Sequence, residues 1–213
     1  MTEPDVTLTD YGLVVECAVF TYLLARGRGR RSALRGWFVL FFGATGLAAL
    51  AGGTVHGVFL DERTLGARIL WPLTLLAIGV AALAAWGIGA QLEFSVPAAR
   101  WISGIAAAQF AGYAAVVLFA NQAFVVAILD YLPATLFLTV VFGLAYRRTR
   151  GRPLLAGLAG LALTFLASWI QQTGIALHPV YFNQNALQHV VQGVGLFLLF
   201  RAARWLVAGG ARA

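Results

Sequence analysis

The fold class this sequence predicts is all-α, a polytopic membrane protein built as a bundle of seven transmembrane helices. Three observations carry that reading. Of the 213 residues, 61% are hydrophobic and 11% charged, which is more apolar surface than one water-soluble core can hide. Apolar runs long enough to cross about 30 Å of hydrocarbon recur between short polar punctuations. The arginines, finally, fall on alternate connections of those runs.

The first run covers Leu8 to Ala25 and ends at the basic stretch from Arg26 to Arg31. The second runs from about Gly36 to Leu60 and stops at Asp61-Glu62-Arg63. The third extends from near Arg68 to Ala90, with Gln91 and Glu93 expected in the loop that follows. The fourth occupies Ala99 to about Ala120. Only Asn121 and Gln122 separate it from the fifth, which reaches Tyr146 before Arg147-Arg148-Thr149-Arg150. The sixth spans Leu154 to about Ala176, and the seventh begins near Asn185 and fades by Val207. The acidic start lacks the basic region of a cleaved signal peptide, so the first helix is expected to remain as an anchor. Residues 1–213 read as a single domain, because no long linker or low-complexity stretch interrupts them.

If the helices alternate, Arg26, Arg28, Arg30, Arg31, Arg35, Arg100, Arg147, Arg148, Arg150, Arg152, Arg201, Arg204 and Arg212 share one side. Only Arg63 and Arg68 lie opposite. The positive-inside rule then places the N-terminus outside and the C-terminus in the cytoplasm. The expected location is the plasma (inner) membrane of a prokaryote. The same distribution removes nucleic acid as a partner despite the net charge of +7, since charge beside helix ends serves topology and contacts lipid headgroups. The chain has no lysine, which excludes a retinal Schiff base. The single cysteine, Cys17, forms no internal disulfide. No G-x-S-x-G, H-E-x-x-H or phosphate-loop motif occurs, so serine-triad, zincin and nucleotide-driven chemistries find no support. Gly43 with Gly46, and Gly157 with Gly160, are candidate points of close helix approach. Trp37, Trp71, Trp101 and Trp205 read as interfacial anchors.

Polar residues concentrate toward the expected outer side: Glu16, Thr54, His56, Asp61, Asp130, Gln171, Gln172, His178, Asn183, Asn185, His189 and Gln192. Ionisable groups at membrane depth are expensive and face a bundle interior or a wet cavity, which predicts a polar pocket on that side. Asn185, Gln188, His189 and Gln192 share one helical face, and Ser168, Gln171 and Gln172 form a second stripe. His56 and His189 are the preferred metal pair, with His178 or Asn185 completing the set, because neutral imidazole is a common ligand and catalytic zinc takes three protein ligands plus water. Glu16, Asp61 and Thr54 are the candidate catalytic groups. Gln171, Gln172, Asn183, Gln188, Gln192 and Asp130 are candidates for holding a substrate. The alternative for the whole set is interhelical hydrogen bonding that fastens the bundle.

Seven helices, a histidine late in the second and another early in the seventh resemble the CREST superfamily of membrane hydrolases and receptors, which includes the alkaline ceramidases and adiponectin-receptor-like proteins. That resemblance implies a zinc held by one histidine of the second helix and two, spaced H-x-x-x-H, on the seventh. His56 and His189 match two of these positions, and the third is Asn185. The serine position falls on Gly52, with Thr54 the nearest hydroxyl, and no aspartate lies on the third helix. The resemblance implies hydrolysis of a lipid amide or ester by zinc-activated water. Two further expectations come from other classes. One is a transporter or receptor whose amide-rich pocket binds a small polar ligand, and the other is an accessory subunit that binds a partner through its helices.

Overall fold

The computed structural model describes residues 2–27 and 32–210. Arg28, Arg30, Arg31 and Arg212, which form part of the arginine pattern, lie outside the described residues. The rest folds into α1 (Pro4–Ala25), α2 (Ala33–Val58), α3 (Leu65–Glu93), α4 (Val96–Phe119), α5 (Phe124–Thr149), α6 (Arg152–Thr173) and α7 (Gln184–Val207). All seven are long and apolar enough to cross a membrane. At 1.5 Å per residue, helices of 22 to 29 residues are about 33 to 44 Å long. Among the described residues no strand forms; His178 and Phe182 make one isolated bridge.

The starts and stops follow local chemistry. Ser32 and Thr64 cap α2 and α3 by accepting from the backbone N–H of Arg35 and Ala67 at 3.2 Å each. Asn183 caps α7, taking the N–H groups of Asn185 and Ala186 at 2.9 and 3.1 Å. Gly174 ends α6 in the left-handed conformation, φ 72°, where a side chain would be strained. The narrow break between α4 and α5 falls at Asn121 and Gln122 as expected; the Asn121 side chain accepts from Ala123 N–H at 2.8 Å.

Two boundaries differ in ways that matter. α1 begins at Pro4, earlier than the apolar run at Leu8. Proline at the first turn with Asp5 beside it is a helix start that hydropathy alone overlooks. Asp10 is therefore roughly 9 Å into the helix rather than near its tip. α3 runs on to Glu93, so Gln91 and Glu93 are helical and not in a loop. Glu93 accepts from Arg148 at 3.0 Å, tying the end of α3 to that of α5.

Helices α1, α2, α3, α5, α6 and α7 touch in succession around a ring, while α4 packs outside on α3 and α5. Small residues set the closest crossings. A Cβ on Gly46 would stand 2.9 Å from that of Cys17, one on Gly53 2.7 Å from that of Asp10, and one on Gly160 2.5 Å from the Gly195 carbonyl oxygen. Gly160 and Gly195 thus let α6 and α7 meet backbone to backbone. Of the expected glycines, Gly46, Gly157 and Gly160 lie at such crossings, whereas Gly43 has only loose contact with Thr21. Toward the C-terminal half, Phe20, Phe42 and Phe200 fill the middle of the ring. Phe20 and Phe200 stack at 4.1 Å, and Phe42 meets Phe20 edge-on at 5.4 Å.

Gly160→Ala is expected to lower stability by about 1–3 kcal/mol, because its new methyl meets backbone that cannot turn aside. Gly104→Ala on α4, with nothing within 4 Å of the added carbon, serves as control. Unfolding in detergent would measure both, and equal effects would refute the close-crossing account.

Candidate functional site

The aromatic fill stops halfway, and beyond it the ring encloses a cavity of about 260 Å³ at the end where the N-terminus lies. Its two walls differ in chemistry. α7 presents Asn185, Gln188, His189 and Gln192, and α6 presents Thr164, Ser168 and Gln171. Each group repeats at intervals of three or four residues, which puts it on one helical face. Opposite, α3 and α5 contribute mainly apolar groups, Trp71, Ile78, Phe124, Ile128, Tyr131 and Leu132, with the hydroxyls of Thr74 and Thr135 among them. α1 and α2 complete the ring with Asp10 and His56. Among the described residues no arginine lines this cavity.

Hydrogen bonding decides what the polar wall offers. Ser168 donates to Thr164 O and Thr164 to Gly160 O, both at 3.1 Å, so each hydroxyl spends its proton on its own helix and faces outward as an acceptor. Gln188 donates to the side-chain oxygen of Gln192 at 2.6 Å. The amide groups supply the donors that the hydroxyls do not.

His189 joins α7 to α1. Its Nδ1 lies 3.1 Å from the Thr9 hydroxyl, and its Nε2 lies 3.3 Å from Asp10 Oδ1. Thr9 Oγ1 is also 2.9 Å from the carbonyls of Asp5 and Val6. With the hydroxyl proton given to those carbonyls, Nδ1–H is the donor to Thr9, and Nε2 faces the carboxyl. His56 is engaged differently: its Nδ1 pairs with the Glu3 carboxylate. The backbone N–H groups of Thr2 and Glu3 donate to Gly57 O and His56 O at 3.3 Å each, satisfying carbonyls at the end of α2.

The structure brings His56, Gln171, Asn185, Gln188, His189 and Gln192 to one cavity. It places the other candidates elsewhere. Glu16 lies over Gly193 between α1 and α7. Thr54 donates to Leu50 O and pairs with the Tyr11 hydroxyl at 3.2 Å. Asp61 sits in an exposed turn and accepts from Arg63 N–H at 2.9 Å. His178 is in the exposed loop before α7, where its Nδ1 accepts from the N–H groups of Val180 and Tyr181 at 3.2 and 3.1 Å. Asn183 is spent as the α7 cap, and Gln172 is exposed beside Gln171. Asp130 points toward α4 and accepts from Gln109 at 2.9 Å.

Several contributors were missed in the sequence, Asp10, Trp71 and Tyr131 among them. Asp10 was hidden by the late start assigned to the first helix. Trp71 was read as an interfacial anchor but lines the cavity, its indole N–H donating to Gln122 O at 2.9 Å. Tyr131 sits in an apolar run with nothing local to mark it. The pairing of Thr9 and Asp10 one turn inside α1 was the available signal for the first of them.

As a metal centre the donors fit poorly. Among the described residues no three His, Cys, Asp or Glu side chains are grouped to hold one ion. The position that the CREST pattern gives to its first seventh-helix histidine is an amide, and His178 is occupied with its own loop.

The Asp10–His189 contact is expected to appear in a double-mutant cycle. Asp10→Asn and His189→Leu, measured singly and together by unfolding in detergent, should couple by about 0.5–3 kcal/mol. Additive effects would mean that the two groups do not act as a pair.

Comparison with curated proteins gives no match, and comparison with solved structures gives none either. Residues 6–207 match a family described as being of unknown function, DUF6962, and the chain belongs to that family.

Proposed function

We propose that this protein is a multi-pass membrane protein, N-terminus outside and C-terminus in the cytoplasm, whose cavity binds a small uncharged polar ligand without breaking bonds in it. The observation that supports this most is the composition of the cavity wall. Amides and outward-facing acceptor hydroxyls on α6 and α7 confront a mainly aromatic and aliphatic wall on α3 and α5. Such a lining, apolar with a few convergent polar groups, is the general character of a small-molecule site. Among the described residues a carboxyl, Asp10, lies in the cavity and no arginine does, which disfavours anionic ligands. At about 260 Å³ the space is slightly below the roughly 300–1,000 Å³ of pockets that enclose drug-sized molecules. The ligand is correspondingly small. Receptor and transporter are both compatible with such a pocket. Membrane lipids surround the bundle, in the plasma (inner) membrane of a prokaryote.

A second reading, the zinc-dependent hydrolase of a lipid amide or ester implied by the CREST resemblance, draws support from one observation. His56 and His189, on helices far apart in sequence, line the same cavity.

One experiment separates the readings. Purified full-length protein, prepared without chelator, is expected to bind short amides or diols (hexanamide and 1,2-hexanediol as probes). Gln192→Leu should weaken that binding about tenfold, the worth of one good hydrogen bond. Zinc at one ion per chain, lost in His56→Ala and in His189→Ala, would instead favour the hydrolase. The orientation has its own test. A cysteine introduced at Leu177 should react with an impermeant thiol reagent from outside and one at Arg150 should not, with Cys17 buried and silent. The reverse pattern would invert the topology.

A further inference from the structure

Glu16 stands apart from the cavity and is not accounted for by it. It lies about 18 Å from the start of α1 and about 14 Å from its end, counting 1.5 Å per residue. A glutamate side chain cannot reach an aqueous surface from that depth. Its carboxylate rests over Gly193 of α7, where an added Cβ would stand 3.2 Å from Oε2. The surface around it is exposed and apolar: Val15 is 64% exposed, Val19 47%, Val194 52% and Phe197 48%. Among the described residues no hydrogen bond or ion pair involves Glu16.

An ionisable group at this depth is expensive unless it is paired, and hydrocarbon offers it nothing. Gly12, with nothing within 4 Å of its Cβ position, and Gly193 leave the groove shallow enough for another helix to approach closely. We propose that the groove between α1 and α7 at Glu16 docks a transmembrane helix of a partner protein that carries an arginine at mid-depth. Arginine is the match because its planar fork bonds both carboxylate oxygens and keeps its charge when desolvated. A second copy of this chain fits less well. A two-fold axis along the membrane normal would bring Glu16 against Glu16 at the same depth, like charge facing like charge. The inference is independent of the ligand cavity, which lies on the inner face of the same two helices.

The test uses the full-length protein in phosphatidylcholine vesicles. An acceptor dye on a cysteine introduced at Leu177 reports energy transfer from a donor-labelled Leu/Ala transmembrane peptide bearing one central arginine. Cys17 is fully buried and does not take the dye. Saturable transfer is expected with the central-arginine peptide and not with a central-leucine peptide. Glu16→Leu should weaken the association about tenfold, near the upper range measured for polar contacts between membrane helices. Glu16→Arg should transfer the preference to a peptide with a central glutamate, a rescue that a misfolded variant could not give. Association that ignores the central residue, or that survives Glu16→Leu, would overturn the proposal. Transfer between two labelled copies of the protein that is lost in Glu16→Leu would overturn it in favour of self-association.

Discussion

A helix that crosses hydrocarbon must satisfy its own backbone and turn its polar side chains away from lipid. Much of the architecture described here depends on that constraint. Among the described residues the chain meets the first part with seven helices, each long and apolar enough to span. It meets the second by turning Asp10, His56, Gln171, Asn185, Gln188, His189 and Gln192 toward one another from four helices. The cavity is where these groups converge. Hydroxyls on the other helices that line it also bond back to their own helix, as Thr45 does to Phe41 O at 2.8 Å and Thr74 to Leu70 O at 2.9 Å, so they add little demand for partners.

Packing around the cavity divides the bundle into two halves with different physical roles. In the C-terminal half, Phe20, Phe42 and Phe200 fill the ring, and the buried alanines of α3 let the helices close tightly. In the N-terminal half the ring widens around a space. Glycine at Gly53 and Gly160 holds neighbouring helices close enough to keep that space enclosed, since a side chain at either point would collide with the facing helix. The N-terminal residues reinforce this end. Glu3 reaches the end of α2 through His56, and Asp5 accepts from Asn183 N–H at the start of α7, at 2.9 Å. α1 is thereby fastened at its tip to both of its neighbours in the ring.

The candidate site was legible in part. The face made by Asn185, Gln188, His189 and Gln192 follows from helical spacing, and all four line the cavity. His56 was legible because a histidine beside glycines near a helix end has few other reasons to be there. Asp130 and Asp61 were misplaced for a common reason. A polar residue in an apolar run announces that it needs a partner but not which one. Asp130 found Gln109 on the peripheral helix α4, and Asp61 found the backbone of its own turn. His178 illustrates the same limit, since its loop folds back on it through Val180 and Tyr181.

The sequence by itself determined the number of helices, most of their limits and the end of the bundle where polar residues gather. These depend on local hydropathy, on caps such as Ser32 and Asn183, and on breakers such as the Asn121 turn, all of which act within a few residues. The tertiary structure alone decided which polar groups share the cavity, that α4 stands outside the ring, and that Glu16 turns away from the interior. Those outcomes depend on helix rotation and on contacts between residues far apart in the chain, such as Asp10 with His189 and Gly160 with Gly195. The energies that choose among rotations come from side chains meeting across helices, and no single segment contains them.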